Sequence, residues 1–308
     1  MRRSQFRLFL LFISTVLTGS VSGQYYFYDG SYYNSDVLFE VGLSGGAMNS
    51  LTDLGGKAGI GGPFVKDFNI GTTNPAVGFF VSGAYQDKFG LRLEATYGKV
   101  SAYDSILKGV TDIAIERYNR NLNFRSSITE FSAMAEIHPL KIFIDYQSLD
   151  KDPPRYSPYL LGGIGYFSFN PQAYYENKWI DLQPLSTEGQ GFAEYPDRKP
   201  YKLKQFNFPL GGGVKYELSP FLNLRAEFVL RKLNTDYLDD CSKQYIDPTV
   251  FYNHLSGAQL INALLLNDRQ IEKHVGEGGP RGKDKNNDSY FSFNIKASLV
   301  LGRSRIRD

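Results

Sequence analysis

Gly42-Leu43-Ser44-Gly45-Gly46 has the G-x-S-x-G spacing of a hydrolase nucleophile elbow. That elbow needs a sharp strand-to-helix turn to lift its serine clear of the sheet. Here Ser44 closes an alternating strand and nothing helical follows, so the glycines read as a softened strand end. Ser105-Ile106-Leu107-Lys108 fits S-x-x-K, but as part of a surface loop. Asp284-Lys285-Asn286-Asn287-Asp288 opens with the oxygen ligands of a calcium loop. Ser289 then stands where that loop needs glycine, and Ile295 where it needs glutamate, so the stretch reads as a polar turn. His138, His254 and His274 are the only histidines, and no two share metal-ligand spacing. His254, with Asp247 and Ser256 nearby, keeps a loop-borne hydrolase as the third-ranked reading, without visible orienting geometry. The expectation is therefore no catalytic residue, no metal and no cofactor. Cys241 is alone, which excludes an internal disulfide and suits a buried or shielded thiol.

The charges that remain sit on strands. From Tyr290 to Leu301, Phe291, Phe293, Ile295, Ala297, Leu299 and Leu301 share one face, and Ser292, Asn294, Lys296 and Ser298 the other. Such period-two alternation defines a strand with one apolar face. It recurs over Val37–Gly45, Pro75–Tyr85, Phe89–Lys99, Ile128–His138, Ser157–Phe169, Gln205–Tyr216, Phe221–Arg231 and Ser289–Leu301. Most of these have the roughly 9–11 residues of a tilted strand that crosses a bilayer. A ten-strand count follows if Ile142–Tyr146 or part of a long loop also pairs. The polar faces carry Glu40, Arg92, Glu94, Glu130, Glu136, Lys215, Arg225, Glu227 and Lys296. An Arg or Lys facing lipid at mid-membrane costs about 2–4 kcal/mol. These groups are therefore expected inside, where an eight-strand lumen is narrow enough for side chains to fill it as an ion-pair network. The prediction is a plugged barrel rather than a porin.

Connections support the same fold. The long segments Gly46–Asn74, Val100–Ser127, Asn170–Lys204 and Lys232–Asp288 alternate with the short ones Gln86–Lys88 and Glu217–Pro220 and the intermediate Pro139–Tyr156. Long loops on one side and short turns on the other mark an outer-membrane barrel, with the long loops outside. Tyr85, Phe89, Tyr97, Tyr159, Tyr216, Phe221, Tyr290 and Phe291 fall near strand ends, as interfacial girdles would. A soluble lipocalin-like barrel would invert the faces. Ser256–Asn267 reads as a short loop helix, with Ser256 as its cap and Leu260, Ile261, Leu264 and Leu265 as its stripe.

The bulk properties agree. Among 308 residues, 34 Lys plus Arg meet 32 Asp plus Glu, so no basic surface for nucleic acid is expected. Arg2, Arg3 and Arg7 precede an apolar run, Phe6–Leu17, and then small residues up to Gly23. Residues 1–23 read as a cleaved secretory signal and 24–308 as the barrel, exported to the outer membrane of a Gram-negative bacterium. The fold class is all-β: an antiparallel transmembrane β-barrel of about eight strands.

Several stretches resemble the small outer-membrane barrels related to PorG, an accessory of the type IX secretion system. They are Arg120-Asn121-Leu122-Asn123-Phe124-Arg125-Ser126 leading to Glu130, Pro158–Gly165, Thr235-Asp236-Tyr237-Leu238-Asp239-Asp240, and Lys285-Asn286-Asn287-Asp288. The resemblance implies a non-enzymatic barrel that helps attach or stabilise a periplasmic ring of the secretion machinery. Cys241 and Asn170–Lys204 depart from the family pattern. The periplasmic partner would meet the short turns, Tyr25–Asp36 and a basic tail with Arg303, Arg305 and Arg307. The alternative is a structural or adhesive barrel acting through its outer loops.

Overall fold

The computed structural model describes residues 32–56, 69–144, 154–284 and 286–305. The expected signal, residues 1–23, lies outside these, as do Lys285, Arg307 and most of Tyr25–Asp36. Eight long strands close on themselves. They are β1 (Tyr32–Leu51), β2 (Asn74–Tyr85), β3 (Phe89–Tyr103), β4 (Asn123–Ile137), β5 (Tyr156–Ser168), β8 (Lys204–Ser219), β9 (Leu222–Leu233) and β10 (Ser289–Arg305). Every neighbour is antiparallel in the registers from β1–β2 around to β9–β10, and β1 lies beside β10 to complete the ring. The intervening β6 (Pro171–Tyr175) and β7 (Lys178–Asp181) form a hairpin that pairs with β4 through Arg125 and Ser126.

The faces decide what surrounds the barrel. Leu43, Leu91, Phe131, Leu160, Phe293 and Leu299 project outward and exposed, while Glu40, Arg92, Glu130, Lys215, Arg225 and Lys296 are buried inside. Water outside would favour the reverse arrangement; a hydrocarbon surround requires this one. The barrel is of the transmembrane kind. No helix among the described residues is long and apolar enough to cross a membrane, and the strands do the crossing.

One end carries short connections. Gln86 and Asp87 both adopt positive φ, 51° and 55°, in the tight turn between β2 and β3, a geometry that matches the twist of the paired strands. The segment expected as a possible extra strand instead begins as a helix, α2 (Pro139–Phe143), while residues 145–153 lie outside the description. Pro139 at its first turn favours that start. The barrel therefore has eight staves, and the added pairing comes from the Asn170–Lys204 loop, outside the wall.

At the other end the strands outrun their sequence-read limits, because they continue past the membrane into a folded cap. The cap includes α1 (Ile115–Arg120), β6–β7, α3 (Phe251–His254) and α4 (Gly257–Asn267). Its lower apolar layer sits in the barrel mouth and contains Met48, Phe124, Phe167, Phe169, Leu238 and Tyr290. An upper layer holds Leu182, Leu185, Phe192, Phe251, Ala263 and Leu266. Two expectations need correction. Ser256 makes no side-chain cap bond, and α4 buries Ala263 and Leu266 while Ile261 and Leu265 stay exposed. The packing partner on the Phe251 side chose the face, which the stripe alone did not encode.

Candidate functional site: a charged lumen and a folded outer cap

All nine charged residues read from the strands, from Glu40 to Lys296, point into the lumen, each no more than 5% exposed. Arg92 reaches across from β3: its Nη2 lies 2.7 Å from Glu227 Oε2, its Nη1 3.2 Å from Glu136 and its Nε 3.3 Å from Glu94. Arg225 on β9 donates to Glu40 at 2.8 Å and to Glu136 at 2.9 Å. Lys296 on β10 closes the set on Glu94 at 2.6 Å and Glu227 at 2.9 Å. Lys215 lies 3.7 Å from Glu40 but 3.2 Å from Asp87 in the short turn. Glu130 stands apart, nearer the cap, and its partner is Arg231 at 3.0 Å.

Sequence reasoning left several members out. Arg231 was visible on the polar face of its strand, and its omission was one of selection. Phe80 was not legible. Its ring lies in the lumen within 5.2–5.7 Å of Lys296 Nζ and the Arg225 and Arg92 guanidinium carbons, where its π face attracts cations. Gly42 makes room for it, since a Cβ there would fall 2.7 Å from the Phe80 ring. Tyr159 and Tyr290, assigned to the interfacial girdle, point inward instead. Tyr159 donates to Glu227 at 2.8 Å, and Tyr290 donates to Glu130. A phenol suits either place, and these two follow the parity of their strands. Ser157 completes this inner face by meeting His138 Nδ1 at 2.9 Å.

The family-like residues gather in the cap. Arg120 pairs with Asp104 through two bonds of 2.9 Å and donates to the Arg281 and Asp53 carbonyls, each at 2.8 Å. Asn121, in the left-handed region at the end of α1, donates to the Arg269 carbonyl. Asp240 accepts from Thr187 at 2.5 Å and Tyr201 at 2.6 Å, and Tyr237 stacks on Tyr201. Asp288 accepts from the Leu238 amide at 2.9 Å, while Asp239 accepts from the Cys241 amide. Cys241 is fully buried. Asn286 and Asn287 lie on the turn into β10. Arg281 binds Glu188 at 2.9 Å and the Asp240 carbonyl at 2.6 Å. Neither Arg281 nor Glu188 was singled out from sequence, since an isolated charge in a long loop gives no periodic signal.

Burial governs the acids of the cap. It raises the Asp240 carboxyl to about 6 despite Arg281, and Asp236 to about 8. Asp53, Asp239 and Asp288 are raised by the same cause. His254 pairs with Glu194 at 2.7 Å and stacks on Phe192, whereas Asp247 caps the turn at Thr249. Asp247 is thus engaged with Thr249 rather than with His254. Asp284 pairs with Lys243 rather than joining Asp288 in a loop.

At the short-turn end Arg303 is buried. It donates to the Pro220 carbonyl at 3.2 Å and to Glu217 at 3.4 Å. It is therefore committed to the barrel rather than presented by a basic tail.

No family model matches the chain, and no curated protein matches it. Among solved structures it is similar to Ail, the attachment invasion locus protein of Yersinia pestis, at 7% identity and TM-score 0.36, covering 87% of this chain and 100% of that one. It is similar to Neisserial surface protein A at 8% identity and TM-score 0.34, covering 87% and 98%. A major outer membrane protein from Thermus thermophilus gives 12% identity and TM-score 0.38, covering 87% and 100%.

Proposed function

We propose that this chain is a non-enzymatic integral outer-membrane barrel whose working surface is its folded outer cap. The supporting observation is the pairing of a sealed, charge-filled lumen with a cap that has its own buried layers. A conducting pore would leave Arg92, Lys296 and Glu227 exposed to water, yet each is at most 1% exposed. Neither lipid nor solute passes such a lumen, so the function belongs to the surfaces. The larger and more structured surface is the cap. On this reading, deleting 247–282 from the cap removes attachment to the partner while the barrel still inserts. Surface attachment and detergent-extracted membrane fractions, assayed side by side, test it. An unchanged attachment in the trimmed protein refutes it.

The second reading is an accessory of type IX secretion, with a periplasmic ring as partner. It rests on the resemblance, and one observation favours it: Arg120, Asp239, Asp240 and Asp288, distant in the chain, converge in one cap core. Such convergence is what a shared cap architecture would require of these residues. Deleting the chain then abolishes export of type IX cargo with membrane integrity intact; normal export removes the reading.

A further inference from the structure

Past its apolar band, the outer wall of the barrel turns cationic on one side. On β3 the outward residues run from Phe89 to Tyr97, and Lys99 comes next. On β9 they run from Leu222 to Leu230, and Lys232 comes next. On β8, read from the short-turn end, they run from Tyr216 to Phe206, and Lys204 comes next. Each run has the roughly 9–11 residues of a strand that crosses a bilayer. Each lysine therefore stands one step beyond the hydrocarbon, at headgroup height on the cap side. On β4, Arg125 shares the outward face with Ser127 and Thr129. Since β3, β4, β5, β8 and β9 are consecutive around the ring, these cations form an arc. The remaining strands β10, β1 and β2 are neutral there, with Ser289, Gly45 and Pro75.

The arc has no carboxylate to answer it. The glutamates of the same strands, Glu94, Glu130, Glu136, Glu217 and Glu227, are all buried inside. Lys99, Lys204 and Lys232 are exposed and form no ion pair among the described residues. Arg125 holds neutral partners: its Nε donates to Gln172 at 2.9 Å, and its guanidinium lies over the Trp179 ring. Asp181 on the same hairpin accepts from Gln172 and Asn170 instead. Lys99 pairs in register with Ser127, and Ser101 with Arg125. At about 4.8 Å between strands and about 3.3 Å per residue, the Lys99 and Arg125 Cα atoms lie about 8 Å apart. Two long cationic side chains on that spacing can close on one phosphate, with the Ser127 hydroxyl between them.

We propose that this arc binds the phosphate groups of lipids in the cap-side leaflet, with Lys99 and Arg125 as one clamp and Lys204 and Lys232 as a second contact. Height and charge together select that occupant. A lysine beside an apolar wall lays its stem on the wall and lifts its ammonium into the headgroups, where anionic lipid attracts it. An acidic soluble protein would have to displace lipid to reach the same arc. The contact rests on the wall's placement in a membrane and is independent of what the cap binds.

The test titrates the full chain in detergent with bisphosphorylated lipid A and counts retained lipid by native mass spectrometry. The wild type should hold lipid A and release its dephosphorylated form with the same acyl chains. K99Q, K204Q and K232Q combined should weaken retention roughly a hundredfold, a factor of about five for each interfacial lysine. K88Q, on the β2–β3 turn at the opposite end, should bind as the wild type does. The heat-dependent gel shift of a closed barrel reports that each variant has folded; if the triple variant has not, K99Q alone should show about a fivefold loss. Equal retention of the two lipid forms, unchanged retention in the folded arc variant, or an equal loss in K88Q overturns the proposal. Displacement of lipid A by inorganic phosphate at equal concentration assigns the arc to a soluble anion and overturns the lipid reading.

Discussion

Arg225 ties Glu40 on β1 to Glu136 on β4, so removing it leaves two carboxylates short of a cation in a dry lumen. Breaking a buried pair from one side costs about 3–5 kcal/mol. Arg225→Ala should lower the unfolding free energy by that amount in a urea titration of the micellar barrel; an unchanged midpoint contradicts the network. Asp87 offers a pH test outside the membrane. Burial alone would raise its carboxyl, but Lys215, Lys141 and Arg303 outweigh burial and hold it at about 2. A depressed folded pKa contributes stability above the ordinary value near 3.8, and that contribution is lost as pH falls through about 2. Asp87→Asn should therefore cost about 2 kcal/mol at pH 7 and almost nothing near pH 2. A penalty independent of pH would show that the carboxylate charge is not what acts.

Among elements, the β6–β7 hairpin has the clearest separable anchor. Asn123 donates to the Tyr174 carbonyl at 3.3 Å and accepts from its amide at 2.6 Å, while the Arg125 guanidinium lies 3.9 Å above the Trp179 ring. Asn123→Ala should free the hairpin while the wall of the barrel persists. Red-shifted, more quenchable Trp179 emission with an unaltered barrel midpoint is the expected result; a coincident loss of both would make the hairpin part of the wall. Among the described residues this hairpin is the strand pair that periodicity missed. Its strands are only five and four residues long, too short for alternation to rise above the loop around them. The eight staves were legible because each carries many alternating positions with one face in lipid.

At the scale of the molecule, a plugged lumen and a folded cap mean that nothing passes through. Planar bilayers containing the purified protein should show no steady conductance above background. Opening the plug by replacing Phe80 and Arg92 together with alanine should create a leak of single-channel character. A stable conductance in the wild type would mean that the buried charges line a path rather than block one. The same architecture explains why the two ends differ. Short turns leave little area beyond the barrel rim, whereas the long connections bury enough apolar surface to build two layers of their own.

The amino-acid order by itself determined the barrel class and which charged residues share a face, while it left the count of staves at eight or ten until the ring was seen to close. The first two follow from a period of two read against the cost of charge in hydrocarbon, and neither quantity needs coordinates. Partner choice was different. That Arg92 meets Glu94, Glu136 and Glu227, that Phe80 rather than a polar group fills the centre, and that Tyr159 and Tyr290 face inward were decided by register around the closed ring. The cap was decided almost wholly in three dimensions. Its acids and arginines come from loops with no repeat to read, and only the tertiary fold brings Arg120 to Asp104 and Arg281 to Glu188 and the Asp240 carbonyl.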